Sequence, residues 1–395
     1  MLCWNDMISK QAHPMMKRLA LATALSWSAF WSAACSESTV PFQQEESSLG
    51  TANALCDQLS PQLQGALEEA ALSEHLSGVT SSLRLPNCTW QGAAGRAQMK
   101  PSMAMKADDR LRAGSITKTF VSVVVLQLQA EGKLSLESTL AAYVPDFPLA
   151  HSMTVRQLLN HTSGTGNYTQ NPAFFTQAMA TPGKTWTPEE LIALGAALSP
   201  SSEPGARWAY SNTNYILLKR VIEKATGAPL AQQLRTRIFE PLSLRNTGLD
   251  GDEPIPPLAV HGYTHSPKNG TWTDLTGLLH PSAANAAGAL VSNAEDLSRF
   301  FQALFEDSLL PPQQLAEMTQ WVPTEDPAMP GYGLALVQIP TPAGPGYGHT
   351  GSIPGFSAVT LYVPEQRATL SVLTNLEDAN HRQVAQRLLK VLAGR

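Results

Sequence analysis

The sequence is poor in charge: only 15% of its 395 residues are Asp, Glu, Lys or Arg. It has no basic excess, with 27 Lys and Arg against 32 Asp and Glu, a net charge of −5. A nucleic-acid binder must neutralise phosphates, so this balance argues against one. It lacks the low hydrophobicity of a disordered chain, since 43% of residues are hydrophobic. Cysteine is scarce, with four in all and no Cys-x-x-Cys pair, which excludes a zinc ribbon. No G-x-S-x-G occurs, so the nucleophile elbow of an α/β-hydrolase is absent. His261 and His265 have i, i+4 spacing, but no Glu follows the first, so H-E-x-x-H zinc chemistry has no basis. There is no internal repeat. The 27 Gly and 29 Pro indicate many turns without low complexity.

The N-terminus is the first informative stretch. Met15-Met16-Lys17-Arg18 precedes an uncharged, mostly apolar run from Leu19 to Ala34, and Cys35 follows. This pattern is a secretory leader over residues 1–34, with the biological start at Met15 or Met16. The run is short for a bilayer span, which needs about 20 residues. A Cys after Ala33-Ala34 resembles a bacterial lipoprotein cleavage site, although Ser32 stands where Leu is usual. Lipid on Cys35 and ordinary leader removal are the two outcomes. Either way the protein is expected outside the cytoplasm, in the periplasm or anchored there. Cys56 and Cys88 remain in the folded body, as a disulfide or as two buried thiols.

Residues 35–53 are polar and aperiodic and read as a linker. Leu55, Leu59, Leu63, Leu67 and Leu72 predict a helix over 54–75, and 78–100 a hairpin. Residues 115–131 predict a buried helix ending at Gly132. Helix-like stretches at 155–160, 188–198, 215–226 and 230–239 are followed by a helix at 293–306. Strands are expected at 332–339, 356–363 and 368–374, and a last helix at 380–392. Strands at both ends with helices between suggest one sheet built from both termini around a helical insertion. The partition is 54–132 with 285–395 as an α/β domain and 133–284 as a mainly helical one.

Three short motifs could carry chemistry. Ser115-Ile-Thr-Lys118 places a hydroxyl and an amine one turn apart at a helix start. Lys118 can take the Ser115 proton only when neutral, and at a pKa of about 10.4 roughly one Lys in 2,500 is neutral at pH 7. Lowering that pKa by about three units takes about 4 kcal/mol, which burial can supply. The bland alternative is a helix cap with a solvated lysine. Tyr210-Ser211-Asn212 offers a proton-shuttling phenol and an amide that can orient a substrate amide, or else a turn. His349-Thr350-Gly351-Ser352 could hold an anionic substrate group on a strand edge, or be a Gly-rich turn. His161, in a Thr-Ser-Gly loop, reads as structural, as do Arg207 and Arg299.

Each motif alone is weak. Their order is not: S-x-x-K, then Y-S-N 95 residues on (210 − 115), then H-T-G 139 further (349 − 210), resembles the active-site-serine β-lactamases and D-alanyl-D-alanine peptidases. The Tyr-Ser-Asn form with His in the third box is similar to the class C-like, Streptomyces-type DD-peptidase branch. That branch also holds D-aminopeptidases and carboxylesterases. Leu158–Gly164, Glu203–Asn212 and Gly288–Leu297 fit the same resemblance, which spans residues 54–393. It implies an α/β (α+β) β-lactamase/transpeptidase-like fold: an antiparallel sheet flanked by helices, plus an inserted all-helical domain. It implies Ser115 as the acylated nucleophile, with Lys118 and Tyr210 sharing base and acid work. Asn212 would hold a substrate amide, and His349 and Thr350 would line the carboxylate end beside Gly351. The Ser115 and Ser352 N–H groups would form the oxyanion hole. No cofactor and no metal is needed. The partner is a small-molecule or peptide substrate: a peptidoglycan stem peptide, a β-lactam or an ester. No nucleic acid is expected, and the membrane enters only through Cys35. The expected activity is that of a D-alanyl-D-alanine carboxypeptidase. Alternatives are a carboxylesterase, a class C-type β-lactamase, or a non-catalytic cell-wall binding or sensor protein.

Overall fold

Strands from the two ends of the chain meet in one antiparallel sheet. The computed structural model describes residues 45–266, 268–307 and 309–394; the leader and Cys35 lie outside them. Helix α1 (Glu45–Ser73) leads into the hairpin of β1 (Gly78–Leu85) and β2 (Cys88–Gln98). Short strands β3 (Met103–Ala104) and β4 (Leu111–Arg112) precede a single turn at Gly114–Ile116 and helix α2 (Thr117–Ala130). Helices α3 (Val155–Leu159), α4 (Pro172–Ala180), α5 (Pro188–Ala196), α6 (Thr213–Thr226) and α7 (Leu230–Leu234) follow. Then come β5 (Gly248–Leu249), the hairpin β6 (Tyr263–Ser266) and β7 (Thr271–Asp274), β8 (Leu290–Ser292), α8 (Ala294–Glu306) and α9 (Pro312–Met318). The chain closes with β9 (Val322–Pro323), β10 (Gly331–Tyr332), β11 (Val337–Ile339), β12 (Gly346–Ile353), β13 (Phe356–Val363), β14 (Ala368–Thr374) and α10 (His381–Ala393).

The main sheet runs β3-β2-β1-β14-β13-β12-β11-β10-β9. β1 pairs with β14 in the register Val79↔Thr374 to Arg84↔Thr369, which joins the two chain ends. Every residue of β13 and β14 is buried, because apolar clusters cover both faces. One cluster includes Phe120 of α2 and Phe300 of α8; the other includes Leu63 of α1 and Leu388 of α10. The Cys56–Cys88 disulfide fastens α1 to the start of β2, with the Cα atoms 5.4 Å apart. Among the described residues no helix is long and apolar enough to cross a membrane.

Several expectations need correction. α1 starts at Glu45, so the second half of the linker expected over 35–53 is helical. The strand expected over 332–339 is two strands, β10 and β11, interrupted where Ala335 takes φ +62°. The break turns the Leu334 and Ala335 carbonyls toward α2, where they accept from the Ser122 and Thr119 hydroxyls. α4 was not expected; it is set by Asn171, whose side chain accepts from the Ala173 N–H, and by Pro172 in its first turn. His261 and His265 lie at the β6–β7 hairpin. His261 pairs with Asp274 at 2.6 Å and His265 stacks on Trp272.

Candidate active site

The site begins with two backbones pressed together. Gly114 holds φ +54°, and a Cβ there would fall 2.7 Å from the Ser352 nitrogen. A Cβ on Gly351 would fall 1.9 Å from the Ala113 carbonyl oxygen and 3.1 Å from the Ser115 nitrogen. Only glycine permits this approach of β12 to the turn before α2. It sets the amides of Ser115 and Ser352 on either side of the joint.

Lys118 lies in the first turn of α2, with no surface exposed to solvent. Its Nζ is 2.9 Å from Ser115 Oγ, 2.9 Å from Asn212 Oδ1 and 2.5 Å from the Ala287 carbonyl. The rings of Tyr210 and Tyr215 enclose it, their centres 4.9 and 5.3 Å away. Burial holds its pKa well below the ordinary lysine value. The contacts fit the neutral amine. Asn212 Oδ1 and the Ala287 carbonyl are acceptors and take its two N–H bonds, leaving the lone pair for the Ser115 O–H.

Tyr210 sits just ahead of α6 and donates its O–H to Ser115 Oγ at 2.8 Å. Burial raises its pKa, against the opposing effect of the Ser115 bond, so it is a phenol rather than a phenolate. Ser115 Oγ thus accepts from a proton donor and can donate to a proton acceptor. Lys118 and Tyr210, expected to share the base and acid work, both lie within hydrogen-bond reach of Ser115 Oγ.

The other expected residues fall into two groups. Asn212 is half-buried and engaged at both ends, its Nδ2 donating to Thr169 Oγ1 at 3.2 Å. Ser352 is exposed at the rim, with Gly351 buried beside it. Thr350 is half-buried on β12. His349 does not join them. It is 2% exposed, its Nδ1 donates to the Thr350 carbonyl at 2.5 Å, and its Nε2 accepts from the Tyr332 O–H at 2.9 Å. Burial pushes its pKa down to about 3, so it is uncharged at neutral pH. His349, expected with Thr350 to line the carboxylate end, therefore brings no positive charge there at neutral pH.

His161 carries more than its loop position suggested. Its carbonyl accepts the Ala209 N–H at 2.8 Å. Its Nδ1 accepts the Ser211 N–H at 3.2 Å and the Asn214 amide at 3.1 Å. Its ring centre lies 4.2 Å from that of Tyr210. It grips the segment that carries Tyr210 from both sides, and it does so in the left-handed region at φ +61°. A histidine one residue after Asn160 and ahead of Thr-Ser-Gly gave no sign of this, because the contact bridges about 50 residues of chain.

A cavity of about 140 Å³ opens beside Ser115. Asn212 and Ser352 edge it, and Tyr168, Phe174, Leu279, Ala284 and Ile353 make up most of its apolar wall.

Comparison with known proteins agrees with this geometry. Residues 77–395 match the beta-lactamase family. Penicillin-binding protein 4* of Bacillus subtilis (strain 168) is 26% identical over 328 residues, covering 80% of this chain and 72% of its own. The D-stereospecific amidohydrolase of a Streptomyces species superposes with a TM-score of 0.74 at 36% identity, covering 84% of this chain and 97% of its own. The D-amino acid amidase of Ochrobactrum anthropi SV3, in complex with L-phenylalanine, gives a TM-score of 0.77 at 28% identity over 84% and 98%.

Proposed function

The chain belongs to the beta-lactamase family and is a serine hydrolase, and on that premise we propose that it is an exported amidohydrolase acting on amides of D-configured acyl residues. The observation that carries the reading is the contact of the fully buried Lys118 Nζ with Ser115 Oγ, at a place where burial favours the neutral amine. A pure binding protein would have no use for it. Lys118 takes the Ser115 proton as Oγ attacks the amide carbonyl. The oxyanion settles between the Ser115 and Ser352 N–H groups, where one lost donor typically costs about 3–4 kcal/mol. Tyr210 passes its proton to the departing amine and is reprotonated from Lys118. Water then enters in the amine's place, gives a proton back through the same groups and releases the acid.

The D-alanyl-D-alanine carboxypeptidase activity expected from the motif order would need a cation for the substrate's terminal carboxylate. His349 is buried and carries none at neutral pH. The likeness to the D-stereospecific amidohydrolase, which covers nearly all of that protein, supports an amide-cleaving role instead. Export is supported by the leader pattern and by the Cys56–Cys88 disulfide.

The test is a pair of substrates differing only at the leaving end: an N-acetylated D-Ala-D-Ala peptide and its C-terminal amide. The amide should be cleaved at least as fast as the free acid, and Ser115→Ala should abolish both. A tenfold preference for the free acid would restore the carboxypeptidase.

A further inference from the structure

From the cavity beside Ser115 we infer that the acyl group this enzyme takes is uncharged and ends in an apolar group the size of an aromatic ring. This rests on the proposed serine mechanism and specifies the substrate of the same site. Tyr210, which delivers the proton to the leaving group, is not among the cavity's walls, whereas Ser115 and Asn212 are. The leaving group must lie by its acid, so the cavity receives the acyl side.

Its walls contain no Asp, Glu, Lys or Arg, and the one imidazole among them, His280, is half-buried with its Nδ1 taken up by the Ser282 N–H and hydroxyl. An acyl group with a free ammonium or carboxylate would have to leave water without a partner, which is costly. The volume is also informative. An apolar cavity of roughly 150 Å³ holds a benzene molecule, and this one measures about 140 Å³. Phe174 forms one wall, braced by Tyr168 and Trp186 with ring centres 5.3 and 5.0 Å away. Ala283, Ala284, Ala287 and Gly288 form the facing wall, and their small side chains leave the space open. The walls are tied to each other: the Tyr168 O–H donates to the Ala283 carbonyl at 2.7 Å, and the Trp186 N–H to Ser282 Oγ at 2.8 Å. The width is therefore fixed, and Phe174 and Ala284 determine which acyl groups enter.

The assay compares 4-nitrophenyl esters of acetic, phenylacetic and succinic acids, which share one leaving group. D-phenylalanine 4-nitroanilide and its N-acetyl derivative test the cationic case. For the purified protein, kcat/KM should be at least 100-fold higher for phenylacetyl than for the charged succinyl ester. The N-acetyl anilide should exceed the free amine by a similar factor. Ala284→Leu should lower phenylacetyl relative to acetyl turnover tenfold or more. Phe174→Ala, which widens the cavity from the opposite wall, should raise naphthylacetyl relative to phenylacetyl turnover tenfold. Charged and neutral acyl groups processed within tenfold of each other would overturn the inference while leaving the serine mechanism intact. So would variants that change all esters equally. If no ester acylates Ser115 in wild-type protein, the mechanism itself falls and the inference with it.

Discussion

His349 offers a test in which the sign and size follow from its surroundings. The side chain is buried and neutral, with its pKa moved from 6.5 to about 3. Below pH 6.5 the unfolded chain binds a proton at this residue that the native state refuses until about pH 3. Native stability is therefore complete above pH 6.5 and falls as the pH drops across that window. One pH unit corresponds to about 1.4 kcal/mol, so at pH 4.5 the loss from this group reaches about 3 kcal/mol. His349→Gln removes the titration and can still accept from Tyr332. Urea unfolding at pH 7.5 and pH 4.5 on both proteins isolates the effect, because every other titrating group is common to the pair. Wild type should lose about 3 kcal/mol more than the variant over that range. Equal losses, within about 1 kcal/mol, would mean that His349 is accessible to protons in the native state. It could then serve as the cation that its place in the third motif first suggested.

Other substitutions probe the rest of the site. Lys118→Arg puts a fixed positive charge in place of the neutral amine, since a guanidinium does not deprotonate in proteins. Acylation should fall at least 10³-fold, read as the pre-steady-state burst with a 4-nitrophenyl ester. In wild type the acid limb of kcat/KM should report Lys118 losing its proton, with activity rising with pH at an apparent pKa below that of ordinary lysine. Gly351→Ala would place a Cβ 1.9 Å from the Ala113 carbonyl, so β12 and the Ser115 turn must separate. A shift of about 1 Å there should cost about 10² in acylation rate. The double variant Cys56→Ser, Cys88→Ser opens a link between residues 32 apart. Chain entropy predicts about 4 kcal/mol lost in thermal or urea unfolding, with kcat/KM at 25 °C unchanged.

The fold was legible where local signals and burial agree. The Leu spacing of α1, the Val-rich α2 ending before Gly132 and the Asn293 cap of α8 all express helix period and cap chemistry. β12 was harder, because Gly346, Gly348 and Gly351 look like turn residues. In the sheet, close approach demands two of them: a Cβ on Gly348 would fall 1.8 Å from the Thr360 carbonyl and one on Gly351 1.9 Å from that of Ala113. α4 and the β6–β7 hairpin were missed because each is short and depends on its setting. α4 relies on an Asn-Pro start and on Phe174 packing between Tyr168 and Trp186.

The site divides along the same line. Ser115, Lys118 and Tyr210 were legible as a group because two ordered short motifs carry them, and the structure brings all three within 2.9 Å contacts. What a sequence does not carry is the environment that decides a side chain's charge. His349 has the residue type of a pH-7 cation, yet Tyr332, 17 positions earlier, and the Thr350 carbonyl fix it as a neutral imidazole. His161 has the look of a loop histidine and yet holds the Tyr210 segment through Ala209, Ser211 and Asn214. The consequence for His161 is testable. His161→Phe keeps the ring beside Tyr210 but leaves the Ser211 N–H without its acceptor, at about 1–3 kcal/mol of stability. If that bond positions Tyr210, the variant's kcat should fall more for anilides, whose poor leaving group needs the proton, than for 4-nitrophenyl esters, which leave without it. A purely structural role would lower both alike.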